Sequence, residues 1–140
     1  MFKEIMEGVW VAGQLREDDF ARAAELGIRT VINNRPDGEA PDQLPHAEAQ
    51  EAARAAGLGY HYLPIVNGGI SVESVEAMRA LLAEAEGAVL AYCRTGTRST
   101  FLWAFASADA VPSEAIVEAA ASAGYDLSGI APQLRALYGR

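Results

Sequence analysis

Residues 89–99 read Val-Leu-Ala-Tyr-Cys-Arg-Thr-Gly-Thr-Arg-Ser and contain the only cysteine of the chain, Cys93. A short apolar run precedes Cys93, a loop with one glycine and two arginines follows it, and the next residues predict a helix from Thr100 to Ala110. Where a strand leads through a tight loop into a helix, backbone N–H groups and the helix N-terminus converge on one point. Such a point binds anions and favours a thiolate over a thiol, so this stretch predicts an anion site with a reactive cysteine.

A plainer interpretation of Cys93 has to be considered as well. A single cysteine at the end of a strand is commonly a small buried hydrophobic residue without chemistry. Two arginines and three hydroxyl side chains lie within six residues of Cys93, however. These side chains do not suit an apolar core, whereas they do suit an oxyanion. The neighbourhood of Cys93 therefore favours the anion site.

The rest of the chain alternates between strand-like and helix-like patterns. We predict a small hairpin around Gly8, strands at 28–33, 60–65 and 88–92, and helices at 16–26, 47–56, 72–84, 113–123 and 130–137. This alternation predicts an α/β fold with a mainly parallel sheet, whose sites lie at the carboxyl ends of the strands. Cys93, the loop that follows Asn33 and the loop that follows Ile65 all fall at that edge.

Length and composition set the broad class of protein. The chain has 140 residues, of which 51% are hydrophobic, so we expect a single domain over residues 1–140 with one sizeable core. The apolar runs are shorter than the roughly 18 residues that span a bilayer, and residues 1–4 do not resemble the start of a signal peptide. A single cysteine forms no internal disulfide, which agrees with a reducing compartment. The expected location is the cytoplasm, without membrane association.

Charge indicates which partners the protein prefers. The net charge is −8 and the pI is near 4.7, which argues against nucleic acid or an anionic membrane as the main partner. A locally positive loop on an acidic surface would instead capture a small anionic substrate. The two histidines, His46 and His61, give no metal-ligand spacing with Cys93, so we expect neither a metal nor a cofactor. The sequence carries no information on the oligomeric state.

Several stretches together resemble a known family. They are Gly13-Gln14, residues 27–39, Pro64-Ile65-Val66 and residues 92–99. They resemble the phosphatase-like domain of bacterial beta-lactamase-hydrolase-like proteins, a group related to dual-specificity phosphatases and also labelled as sulfur transferases. The resemblance implies a three-layer α/β fold with a central, mainly parallel sheet of about four to five strands, flanking helices and a helical C-terminal tail.

The resemblance also implies roles for the residues of the cysteine loop. Cys93 would be the nucleophile that forms a phosphocysteine intermediate, and Arg98 would clamp the phosphate oxygens. Ser99 would donate a hydrogen bond to the sulfur and ease its departure. The oxyanion would lie in a cradle formed by the loop residues Arg94, Thr95, Gly96 and Thr97.

The sequence departs from the phosphatase pattern in three places. Four residues rather than five separate Cys93 from Arg98, which is also the spacing of many rhodanese loops. Asn67 lies where dual-specificity phosphatases have an aspartate as general acid, and Tyr92 replaces a histidine. We therefore predict Asp37 as a substitute general acid, because its loop should lie over the same edge of the sheet. Glu39 is a weaker candidate for that role.

Three further polar residues of the loops at this edge are possible substrate contacts: Asn34, Arg35 and Asn67. An alternative for Arg35 and Asp37 is a polar turn, because Pro-Asp-Gly alone predicts one. The function expected first is a cysteine-dependent phosphatase-like hydrolase acting on a small phosphorylated or oxyanionic substrate. The alternatives are a sulfurtransferase that carries a persulfide on Cys93, taken from a persulfidated donor or thiosulfate, and a non-catalytic module that binds anions or partners.

Overall fold

The structure, a computed structural model, describes residues 1–140. The strands are β1 (Phe2–Met6), β2 (Val9–Ala12), β3 (Ile28–Asn33), β4 (Gly59–Tyr62) and β5 (Ala88–Tyr92). The helices are α1 (Glu17–Glu25), α2 (His46–Ala55), α3 (Val72–Glu84), α4 (Thr97–Ser107), α5 (Ser113–Ser122) and α6 (Ala131–Leu137), with a 3₁₀ turn at Ser128–Ile130 before α6. None of these helices has the length and apolar character needed to cross a bilayer.

The five strands form one sheet in the order β1-β2-β5-β3-β4. The hairpin predicted around Gly8 is present, and β1 is the only antiparallel strand of the sheet. The other pairs are parallel, and Tyr92 at the end of β5 lies beside Ala12 of β2 and Asn33 of β3. Because these strands end level with one another, the loops that follow them meet at one edge.

Helices cover both faces of the sheet. On one face α1 and α2 bury a cluster of side chains that includes Phe20, Ala53 and Tyr92. On the other face the remaining helices bury a larger cluster around Met78 and Trp103. Both faces of β3 and β5 are therefore apolar, as expected for parallel strands covered on two sides. The predicted three-layer fold, with its mainly parallel sheet and its helical C-terminal tail, is confirmed.

Three element boundaries differ from the prediction by three residues, and one of them is the end of α4, which is Ser107 and not Ala110. The strand expected to reach Ile65 ends at Tyr62, because Pro64 has no N–H to donate to a neighbouring strand. Helix α4 begins at Thr97, three residues before the predicted Thr100. Gly96 has a φ of +90°, which allows the chain to turn sharply into the helix. Arg98 and Ser99 consequently lie in the first turn of α4 and not in a loop.

Candidate active site

Cys93 lies immediately after β5 and is 1% exposed. The chain then turns through Gly96, whose N–H donates a hydrogen bond to the Cys93 sulfur at 3.2 Å. An N–H donor at this distance stabilises a thiolate more than a thiol. A side chain on Gly96 would overlap the Tyr125 hydroxyl, so both the positive φ and the close approach require glycine here.

The backbone between Cys93 and Thr100 offers several free donors. The N–H groups of Arg94, Thr95, Thr97, Arg98 and Ser99 donate to no other group of the chain, and Thr100 N–H is the first to bond within the turn, to Gly96 O at 3.0 Å. The first N–H groups of a helix lack helical partners, and together with the preceding turn they attract an anion. The loop therefore has the donors that the predicted anion cradle requires.

Arg98 is 8% exposed and its guanidinium group is held on two sides. Nη1 donates to Glu39 Oε2 at 2.8 Å and to the Ile65 carbonyl at 2.7 Å, and Nη2 donates to Glu39 Oε1 at 2.9 Å. Nε–H and one Nη2–H donate to no oxygen of the protein and lie on the same edge of the planar group. That edge is the one that binds two oxygens of an oxyanion at once. The hydrogen bonds that Arg98 donates to Glu39 and the proximity of Cys93 raise the pKa of Arg98.

Glu39 connects two arginines at this edge. Its Oε1 accepts from Arg35 Nε at 2.9 Å as well as from Arg98, and Arg35 Nη1 donates to Gln14 Oε1 at 3.0 Å. The hydrogen bonds from Arg98 lower the pKa of Glu39 to about 2 against the opposing effect of burial, and Arg35 contributes further. Glu39 is thus a fixed carboxylate near neutral pH. The sequence indicated Glu39 only as a weaker candidate for the general acid, and its role in holding Arg98 was missed.

Asn34 and Ser99 form a second, buried connection. Asn34 is 0% exposed; its side-chain N–H donates to the Leu63 carbonyl at 2.9 Å, and its Oδ1 accepts from Ser99 Oγ at 2.8 Å. The backbone of Asn34 also bonds to Tyr92 and Ile65. The Ser99 hydroxyl therefore donates to Asn34, and the N–H on the sulfur comes from Gly96. The substrate contact of Asn34 and the role of Ser99 in sulfur departure stay predictions.

Asp37 lies at the far end of the same loop. Its Oδ1 accepts from the backbone N–H of His46 at 2.7 Å, at the start of α2, and its own N–H donates to the Tyr62 hydroxyl at 3.0 Å. The His46 ring stacks on Tyr62, with ring centroids 3.9 Å apart. Asp37 is exposed and makes no hydrogen bond to the residues of the cysteine loop. Its role as general acid stays a prediction.

Two tyrosines flank the cysteine loop. Tyr92 points into the core beneath α1, where it meets Phe20 edge to face, and its hydroxyl has no hydrogen-bond partner. Burial raises the pKa of Tyr92 well above its usual range. Tyr125 donates from its hydroxyl to the Thr95 carbonyl at 2.9 Å. This contact was not predicted, because Tyr125 lies 30 residues from Thr95 and belongs to no motif.

A cavity of about 390 Å³ lies beside Arg98 and Glu39. Its lining consists of Arg35, Glu39, Ala40, Asn67, Arg94 and Arg98. The structure thus brings Asn67, Arg35 and Arg94 together with Arg98, as strand-end placement suggested. Three guanidinium groups face one carboxylate, so the cavity is positive although the chain is acidic overall. Such a cavity attracts small anions.

Comparison with known proteins agrees with this architecture. The crystal structure of Tk-PTP shares the fold, with a TM-score of 0.74 at 20% sequence identity. The superposition covers 99% of this chain and 97% of the Tk-PTP chain. A candidate phosphatase from Neisseria meningitidis z2491 is 37% identical, with a TM-score of 0.84 and 96% of both chains covered.

Sequence relatives point to the same group. The beta-lactamase hydrolase-like protein of Xylella fastidiosa (strain Temecula1) is 40% identical over 101 residues, which make up 72% of this chain. The match spans 23% of that relative's length. The model of the phosphatase-like domain of beta-lactamase hydrolase-like proteins matches residues 1–110. This chain therefore belongs to the family of phosphatase-like domains of beta-lactamase hydrolase-like proteins.

Proposed function

We propose that this chain hydrolyses phosphate monoesters of small molecules, with Cys93 as the nucleophile. The observation that carries the proposal is the open edge of Arg98: Nε–H and one Nη2–H donate to no oxygen of the protein and lie close to Cys93, while Glu39 and Ile65 hold the rest of the group. A guanidinium fixed in this way binds two equatorial oxygens of a phosphoryl group. The free loop N–H groups would bind the remaining charge.

The reaction balances in two steps. The Cys93 thiolate attacks phosphorus, an S–P bond forms, and the P–O bond to the leaving group breaks. Water then attacks phosphorus, the S–P bond breaks, and inorganic phosphate and the thiolate are released. The leaving oxygen takes its proton from water or from a side chain outside the arginine cluster, because Glu39 is ionised near neutral pH. Aryl phosphates, whose phenolate leaving groups need little protonation, are therefore the expected substrates.

Sulfur transfer is the second candidate, and the four-residue spacing from Cys93 to Arg98 favours it. The Cys93 thiolate would attack the sulfane sulfur of thiosulfate, the S–S bond would break, and sulfite would leave. An acceptor such as cyanide would then take that sulfur from the Cys93 persulfide, giving thiocyanate and the free thiolate. Sulfite is already an anion when it leaves, so this reaction needs no general acid.

One set of assays separates the candidates. Wild type, Cys93→Ser and Arg98→Lys are assayed with an aryl phosphate, and in parallel with thiosulfate and cyanide. We expect phosphate release that Cys93→Ser abolishes and that Arg98→Lys lowers by about a hundredfold, because lysine cannot bind two oxygens in a plane. Thiocyanate formation without phosphate release would favour the sulfurtransferase. If neither phosphate nor thiocyanate forms, the result would favour a non-catalytic anion-binding module.

A further inference from the structure

Arg35 is a buried arginine with one nitrogen left open. Its side chain is 6% exposed, Nε is bound to Glu39, and Nη1 is bound to Gln14. Arg35 Nη2 makes no hydrogen bond. Among side-chain polar atoms without a partner, only the Tyr92 hydroxyl is shut off from solvent, so Arg35 Nη2 is not fully enclosed. Arg35 Nη2 is therefore accessible to solvent, and Arg35 lines both the cavity at Arg98 and a neighbouring cleft.

Arg94 provides a second open cation at the same place. It is exposed, and its side chain takes part in no hydrogen bond or ion pair. Arg35, Ala40 and Arg94 line both the 390 Å³ cavity and a neighbouring cleft of about 900 Å³. The two arginines thus flank the passage from the phosphate position into the larger cleft.

The spacing between the two positions is short. Arg35 Nε and Arg98 Nη2 each lie 2.9 Å from the same oxygen, Glu39 Oε1, so the two guanidinium groups are neighbours. An anion at Arg35 and Arg94 would be separated from a phosphoryl group at Arg98 by only a few bonds. One compact molecule with two anionic groups would therefore reach both positions.

The outer part of the large cleft has the opposite charge. Glu17, Asp42 and Glu48 line it, with Arg16 as the only cation outside the passage. These three carboxylates repel a ligand whose negative charge extends along the cleft. The charge pattern accepts a short dianion and disfavours a long polyanion or an acidic phosphopeptide.

We propose that the substrate is a small molecule with two anionic groups: a phosphoryl group that binds at Cys93 and Arg98, and a second phosphate or carboxylate that binds between Arg35 and Arg94. This assignment rests on the proposed function, since it takes the Arg98 position as the phosphoryl site. It adds a specificity position formed by two side chains that do not take part in the chemistry.

Two non-hydrolysable probes test the second position without relying on turnover. Ethylphosphonate and 3-phosphonopropionate differ only in the added carboxylate, and their Kd values are measured by following the backbone amide signals of ¹⁵N-labelled protein by NMR. We expect 3-phosphonopropionate to bind about tenfold more tightly, as one added charge-assisted contact predicts. Arg94→Gln should remove this difference, because it should weaken the binding of 3-phosphonopropionate about tenfold more than that of ethylphosphonate.

Arg54→Gln is the matched control, because Arg54 is an exposed arginine of α2 paired only with Glu51. It should preserve the full difference between the probes. Equal Kd values for the two probes in wild type would overturn the second position and leave the phosphatase proposal standing. Binding of neither probe would overturn both. A neutral phosphotyrosine peptide that binds more tightly than 3-phosphonopropionate would overturn the assignment to small dianions.

Discussion

At the scale of single residues, Glu39 holds the guanidinium group of Arg98 in its orientation. It accepts two hydrogen bonds from Arg98 and one from Arg35, and both arginines are buried. Glu39→Gln keeps the shape but removes the charge and replaces one acceptor oxygen with a donor. We expect the free energy of unfolding to fall by about 1–2 kcal/mol, since the carboxylate is a quarter exposed. We expect kcat/KM for an aryl phosphate to fall at least about tenfold, because Arg98 loses its orientation.

The pH dependence of stability checks the same residue. The pKa of Glu39 falls from 4.5 to about 2 on folding, so its stabilising contribution is complete above pH 4.5 and is lost as the pH drops toward 2. Denaturant unfolding of wild type over this range should show that loss, and Glu39→Gln should show less of it. Glu51→Gln, which removes an exposed ion pair with Arg54, is the control and should change neither stability nor activity appreciably. An unaltered acid slope in Glu39→Gln would contradict the assigned pKa.

The sequence shows some of these residues and conceals others. Cys93, Gly96 and Arg98 lie within six positions, so their spacing alone predicts an anion site. Glu39 and Arg98 are 59 residues apart, and no local pattern indicates that they pair. An acidic residue four positions after Arg35 was the available signal, but in an irregular loop that spacing does not imply contact. The pairing appears only once the sheet order brings the ends of β3 and β5 together.

At the scale of elements, the Asn34–Ser99 hydrogen bond ties the end of β3 to the first turn of α4. Asn34→Ala would leave the Leu63 carbonyl and the Ser99 hydroxyl without partners in a fully buried place. We expect a loss of about 2–3 kcal/mol in the free energy of unfolding, and about 1 kcal/mol for Ser99→Ala. The double variant should lose less than the sum, with a coupling of about 1 kcal/mol measured by denaturant unfolding. Strict additivity would mean that the two side chains act independently.

The element boundaries explain why the start of α4 was placed too late. The hydroxyl and arginine residues 97–99 have no apolar periodicity, so the sequence pattern placed them in the loop. The helix nevertheless begins there, because Gly96 turns the chain and the free N–H groups are left for an anion. The strands and most helices were predictable, since apolar periodicity follows directly from the buried face of each element. The start of α4 is determined by the turn at Gly96 and by polar residues of the site, and the periodicity of apolar residues does not indicate either of them.

At the scale of the whole molecule, the C-terminal helices contribute to the site although the family model ends at residue 110. Helices α5 and α6 pack on the same face of the sheet as α4, and the segment between them delivers Tyr125 to the Thr95 carbonyl. Tyr125 also limits residue 96 to glycine. The tail therefore acts as a support for the cysteine loop, in addition to covering the core.

Tyr125→Phe tests that support, with Tyr138→Phe as the control because Tyr138 is half exposed and its side chain makes no hydrogen bond. Loss of the hydrogen bond to Thr95 should cost up to about 1 kcal/mol of unfolding free energy and lower kcat/KM for an aryl phosphate about threefold. Burial, and to a lesser degree the nearby Cys93, raises the pKa of Tyr125. The hydroxyl thus stays protonated, and the effect should be the same from about pH 6 to about pH 9. Equal kinetics in wild type and Tyr125→Phe, with the Gly96 amide signal unmoved by NMR, would show that the loop holds its shape without the tail.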